Sequence, residues 1–329
     1  MLLPEAQERK WPVYSIYGVS VASDFPFTYR LATAGGVSQI TFSRATEEPF
    51  DPDWLTTTPV YASARLPGET ESRFHLYQRN GCDIMRYTHR AHFYLWPHHI
   101  LCQVLDSRYH FAIEIWLLGG VFAYWLERQG IPALHAAAVV VNDQAVAFLS
   151  TNKGGKSSLA ATLMQLGHPL LSDDILPVEL RQGQFAARPG YPQMRMWPDQ
   201  AQHFVGSCEE LDKVQPALSK RRVPVGSGGF GAFCEAARPL RRIYVPQRYD
   251  ADGLGEITIS PLSVKEAVVN LVRNSFLPYV VAAAGLEAKR FGLFANLIDQ
   301  VPVCRLRYPS GVQHLPAVAE AVLQDLNDR

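Results

Sequence analysis

An α/β fold preceded by a β-rich segment is predicted for this chain by three observations. Residues 145–166 read as a strand, a glycine-bearing loop and a helix: Ala145-Val-Ala-Phe148, then Leu149-Ser-Thr-Asn-Lys-Gly-Gly-Lys-Ser-Ser158, then Leu159-Ala-Ala-Thr-Leu-Met-Gln-Leu166. A second apolar run that closes on two acids, Leu171-Ser-Asp173-Asp174-Ile-Leu176, follows Lys156 after one helix and a turn. That is the spacing of a βαβ crossover. The residues before about position 105 carry short period-2 runs separated by turn residues instead. The domains predicted are a β-rich one over 1–105 and an α/β one over 106–329.

The loop closes with Gly155-Lys156-Ser157, the ending of a phosphate-binding P-loop. Glycines let backbone N–H groups converge on phosphate oxygens, and the helix N-terminus adds partial positive charge. Lys156 is expected to reach the β/γ-phosphates and the Ser157 hydroxyl to sit on Mg²⁺. The nucleotide-binding set is Ser150, Thr151, Asn152, Lys153, Gly154, Gly155, Lys156, Ser157 and Ser158; Ser150 stands where the pattern has its first glycine. A polar turn between a buried strand and a buried helix is the plain alternative.

Two flanks bear on that choice. In a βαβ unit Asp173 and Asp174 emerge at the carboxyl edge of the sheet, beside the phosphate loop. One carboxylate there can bind Mg²⁺ while the other accepts a proton from an attacking hydroxyl. Upstream, Leu134-His135-Ala-Ala-Ala-Val-Val-Val-Asn142-Asp143 reads as a strand and turn forming a hairpin with the strand that enters the loop. His135, at its start, is placed to fold back beside the acids and tune one of them. An acidic turn and a structural histidine are the bland readings.

With His135 at a strand start, the P-loop, and Gly167-His168-Pro-Leu-Leu-Ser-Asp-Asp174, the sequence resembles the catalytic domain of bacterial HPr kinase/phosphorylase. It resembles further the HPr-kinase-like serine kinases of biosynthetic clusters for ribosomal peptides such as lasso peptides. Pro189-Gly-Tyr-Pro-Gln-Met-Arg-Met-Trp-Pro198, Ser219-Lys-Arg-Arg-Val-Pro-Val225 and the tail from Ile259 to Leu315 look like segments of that second group. The resemblance covers about residues 115–325. It implies a fold related to PEP carboxykinase and transfer of the γ-phosphoryl of ATP, with Mg²⁺, to a serine hydroxyl of a peptide or small protein. It further implies Asp173 as the base, supported by His135 and Asp174, with Lys156 on phosphate and Ser157 and Asp174 at the metal.

Composition narrows the partners. With 31 basic and 31 acidic residues among 329, there is no global field for nucleic acid or a membrane surface, and 47% hydrophobic residues supply an ample core. Cys82, Cys102, Cys208, Cys234 and Cys304 are scattered, without a C-x-x-C, which supports neither a disulfide framework nor structural zinc. The first ten residues are too polar for a signal peptide, and no uninterrupted apolar run approaches the roughly 18 residues of a membrane helix. A cytoplasmic protein is expected, with a homo-oligomer left open.

Strands are expected over Trp11–Val21, Val37–Phe42, Phe74–Gln78, Asp83–Tyr87 and His92–Trp96, with a proline- and acid-rich loop over Glu47–Pro59. A helix is expected from Arg108 to Arg128, where Phe111, Ile115, Leu118, Phe122 and Trp125 recur at helical spacing. Later strands are expected at Leu176–Leu180, Gln184–Ala187, Leu240–Val245 and Val301–Arg307, with helices near 263–275, 286–299 and 317–327.

Gly226-Ser-Gly-Gly-Phe-Gly231 fits a dinucleotide fingerprint literally but lacks its strand and helix context, so a mobile loop able to close over phosphates is expected. Lys220, Arg221 and Arg195 are candidate substrate or phosphate contacts. His89, His92, His98 and His99 read as surface or domain-interface residues rather than metal ligands. Two other functional classes fit the same loop: a small-molecule kinase or PEP-carboxykinase-like phosphotransferase, and a non-catalytic nucleotide-binding regulator.

Overall fold

The computed structural model describes residues 11–45, 47–151, 154–250 and 255–328. Asn152, Lys153 and the first ten residues therefore lie outside the described residues. The chain divides into two compact units, residues 1–113 and 114–329.

In the first unit the described strands form one sheet in the order Ala32–Thr33, Val13–Ile16, Val19–Ser23, Ile40–Arg44, His99–Val104, Ala91–Leu95, Cys82–Tyr87, Phe74–Arg79, Tyr61–Ala62. Its reversals fall where the sequence tolerates positive φ. Tyr17-Gly18 turns the run expected as one strand into a hairpin (φ 53° and 69°), and Asn80-Gly81 makes a second (φ 49° and 76°). Trp54, Tyr77, Ile84 and Tyr94 pack on one another in the core. The four histidines scatter: His89 pairs with Glu71 at 2.6 Å, and His99 bonds Ser43 at 2.9 Å. Contrary to the surface reading, His92 is buried against Trp54, because its strand is covered on that face.

The stretch Ser107–Arg128 is long and apolar enough to cross a membrane, and 67% of its most apolar window is buried in protein. The single helix expected over 108–128 is broken by a widened turn, Leu117–Val121, at Gly119 (φ −103°, ψ −116°). Its acid Glu127 is buried and paired with Arg290 at 2.5 Å.

The second unit is built on a mixed sheet in the order Ala133–Leu134, Leu176–Arg181, Gln184–Ala187, Arg238–Tyr249, Gln144–Leu149, Ala136–Val141, Leu170–Ser172, with Val303–Pro309 also pairing with Arg238–Tyr249. Period-2 alternation splits its core into two layers. Ala137, Val139, Val146 and Phe148 pack against the helices Lys156–Gln165 and Leu315–Asn327. Ala136, Ala138, Ala147 and Leu149 pack against Val264–Arg273 and Glu287–Gln300 on the other face. A smaller sheet, Gln193–Met196, Leu218–Pro224 and Lys213–Gln215, stands beside the first layer. The sequence reading did not foresee it, since prolines at 189, 192, 198 and 224 mask the strand pattern.

Candidate active site

Strand direction assembles the site. Ala136–Val141 runs antiparallel to both Gln144–Leu149 and Leu170–Ser172, with Ala136 opposite Leu149 and Ala138 opposite Ser172. The start of the first strand and the ends of the other two therefore share one edge. His135, the glycine loop and Asp173-Asp174 meet there. The hairpin turn that enforces this is Asn142-Asp143, with φ 48° and 60°. The crossover through the loop helix steps over one intervening strand, so the βαβ unit is split rather than made of neighbours.

Gly155 caps the helix Lys156–Gln165 in the left-handed conformation (φ 94°). A Cβ on it would lie 2.5 Å from Tyr308 Oη, and one on Gly154 would collide with the side chain of Ser150. Both positions thus require glycine, one for its φ and both for space. Lys156 is 5% exposed. Burial pushes its ammonium below the usual lysine range, while the negative charges of Asp174 and Asp173 oppose that shift.

The two acids have different partners. Asp173 accepts from Ser157 Oγ on Oδ1 and from the Arg195 amide on Oδ2, both at 2.9 Å. Asp174 adopts φ 75° and faces His135 Nε2 at 3.1 Å and Arg195 Nη1 at 2.9 Å. Arg195 Nη2 donates in turn to Tyr191 Oη at 3.1 Å. Burial alone would push the Asp174 carboxyl up. The hydrogen bond from His135 and the positive charges of Arg195, His135 and Lys156 outweigh it and hold the group well below the usual carboxylate range.

A cleft of about 400 Å³ opens at this edge, lined by Gly154, Gly155, Lys156 and Ser157 of the loop and by Arg195, Trp197 and Lys220. Lys220 Nζ lies 5.2 Å from the Trp197 ring centre. Ser158 accepts from Gln200 Nε2 at 2.6 Å. Asp199, Gln200 and Arg248 also line the cleft.

Among the residues singled out from sequence, Ser157, Asp173, Asp174, His135 and Arg195 form one connected network, and Lys156 and Lys220 line the same cleft. Ser150 is buried with its hydroxyl on Thr151 O, and Thr151 is exposed. Arg221 does not line the cleft. It pairs across the small sheet with Met196 while Arg222 pairs with Arg195, so alternation turns it away from Arg195. Gly167-His168 lies at the far end of the loop helix, where it ends that helix. The loop 226–231 is not a phosphate lid: a Cβ on Gly231 would meet Met164, near the C-terminal end of that helix, and Phe230 joins the core. Tyr191, Gln200, Arg248 and Tyr308 were not foreseen. Only the pairing of distant strands, with Arg248 opposite Tyr308, brings the last two to the loop.

Among the described residues no group of three or more His, Cys, Asp or Glu side chains is placed to hold a metal ion. The donor set at Ser157 and Asp173 nonetheless fits Mg²⁺, which takes hard oxygens and is held by one or two carboxylates plus phosphates and waters rather than a protein cage.

No family model and no curated protein matches this chain. Among solved structures it is similar to the Hpr(Ser) kinase/phosphatase from Coxiella burnetii, at 13% identity and a TM-score of 0.31, over 59% of this chain and 95% of that one.

Proposed function

We propose that the second unit is an ATP- and Mg²⁺-dependent phosphotransferase whose acceptor is a serine hydroxyl on a peptide or small protein. The observation that carries this reading is the Ser157–Asp173 hydrogen bond beside buried Lys156, at a glycine-capped helix N-terminus facing a cleft. Phosphoryl transfer asks a protein mainly for positioning and charge, and these residues supply both. Lys156 and the loop amides bind the phosphates. Ser157 and Asp173 would hold Mg²⁺, which when bound neutralises phosphate charge. Asp174, expected at the metal, is left out of that role, because both of its oxygens are engaged by His135 and Arg195.

The acids divide the remaining work. Asp174, held as a carboxylate by His135 and Arg195, is a poor proton acceptor. It serves as the fixed charge that keeps both partners aimed. Asp173 then receives the proton of the attacking hydroxyl. The sequence resemblance adds a ribosomal precursor peptide as the acceptor class.

The test is to incubate the protein with Mg²⁺, γ-labelled ATP and a library of serine-containing peptides. Label on a peptide serine, lost in Asp173→Asn and Lys156→Ala, is expected. Transfer that survives Asp173→Asn, or label found only on small molecules, would overturn the assignment of base or acceptor respectively.

A further inference from the structure

Tyr308 lies near the end of the Val303–Pro309 strand, 1% exposed, and its hydroxyl has no hydrogen-bond partner among the described residues. Native structures seldom leave a buried hydroxyl unsatisfied, because the desolvation is then uncompensated. The hydroxyl is aimed at the glycine loop, 2.5 Å from where a Cβ on Gly155 would stand. The first amides of the loop helix, which have no partner within the helix, cluster at the same place. Arg248 sits opposite Tyr308 in the parallel strand pair, its Cδ 3.7 Å from that same Cβ position, and lines the cleft.

We propose that Arg248 and Tyr308 are ligand-gripping residues for a condensed phosphate chain: Arg248, which lines the cleft with Lys220, binds the chain, and the Tyr308 hydroxyl gains its partner only when the chain is bound. Gly155 covers the phenol in this conformation, and a glycine can turn aside at the least steric cost. Burial pushes the phenol up to about 12, against the pull of Arg248, so at neutral pH it is a donor and suits an anionic oxygen. The inference rests on the phosphate-binding part of the function proposed above.

Binding of Mg²⁺-ATP, Mg²⁺-tripolyphosphate and adenosine is to be measured by calorimetry on the full chain, with thermal unfolding of the same samples. Arg248→Ala should weaken both phosphate ligands about tenfold or more, the change expected when a charge-assisted hydrogen bond is lost. Tyr308→Phe should leave the ligand-free melting temperature equal or higher, since it removes an unsatisfied hydroxyl, yet weaken both ligands to a similar degree. Wild-type affinity in Tyr308→Phe and Arg248→Ala, with binding still lost in Lys156→Ala, would overturn this inference and leave the proposed function standing. Tripolyphosphate binding that depends on Arg248 and Tyr308, without ATP binding, would sustain the inference and sink the nucleotide reading. Binding of neither would sink both.

Discussion

The hydroxyl of Ser157 donates to Oδ1 of Asp173 at 2.9 Å, tying the first turn of the loop helix to the end of a strand that is not its neighbour in the sheet. Because the Asp173 carboxylate holds the Ser157 proton, the lone pairs of that oxygen stay available to a cation. Ser157→Ala should therefore raise the Mg²⁺ concentration needed for half-maximal transfer while changing ATP affinity less. Lys156→Ala should lower transfer by about 10²–10³ or more, the scale for loss of one preorganised charge in a transition state. A Mg²⁺ titration of the labelled-ATP assay checks both, and equal Mg²⁺ dependence in wild type and Ser157→Ala would count against the metal role.

The pairing of Asp174 with His135 and Arg195 makes a prediction about acid. A carboxyl depressed in the folded state stabilises above its unfolded value, about 3.9, and that stability is lost as pH falls through the folded value. Asp174→Asn should thus cost about 1–3 kcal/mol at pH 7, as for hydrogen bonds to a charged group. The gap should shrink below about pH 4. Urea midpoints at pH 7, 5 and 3.5 measure it, and a gap undiminished at pH 3.5 would contradict the charge argument.

Gly154 and Gly155 should respond differently to the same substitution. Gly155→Ala meets both a left-handed φ and the Tyr308 hydroxyl, and the backbone strain alone is about 1–2 kcal/mol. No neighbouring change relieves it. Gly154→Ala has a negative or extended φ and meets chiefly the Ser150 side chain. Ser150→Gly should then largely rescue Gly154→Ala, with a coupling of about 1 kcal/mol or more. Thermal unfolding of the two singles and the double decides it, additive effects being the adverse result.

The half of the site that lies on local patterns was legible in the sequence. The small, β-branched run 136–141, the glycine loop and the Asp173-Asp174 pair each announce their element, and strand direction alone brings their ends to one edge. The other half depends on non-local register. Arg248 and Tyr308 reach the loop because two late strands pair in parallel, a contact no window of sequence contains. Arg195 is visible in the sequence as a charge, but its amide contact to Asp173 needs a strand that flanking prolines conceal. Gly226–Gly231 misled for the same reason. Its composition suits a mobile lid, and only the packing of Met164 and Phe230 shows where it is held.

His135 is itself braced from behind. Its amide donates to Asn274 O at 2.7 Å. The following residues are held by Arg290, which donates to Ser275 Oγ at 2.7 Å, Phe276 O at 2.9 Å and Glu127 Oε1 at 2.5 Å. Glu127 also accepts from the Ala133 amide at 3.1 Å, so one buried ion pair fixes both chains that flank His135. Breaking such a pair by removing one partner strands a buried charge and costs about 3–5 kcal/mol, whereas replacing both with apolar or neutral groups costs far less. Arg290→Met should be severely destabilising, and Glu127→Gln with Arg290→Met should recover much of that loss. Transfer activity should recover less than stability, because the double variant no longer anchors the segment that positions His135. Urea midpoints and kcat for the singles and the double separate the two effects. Activity that returns in step with stability would reduce the pair to a structural role.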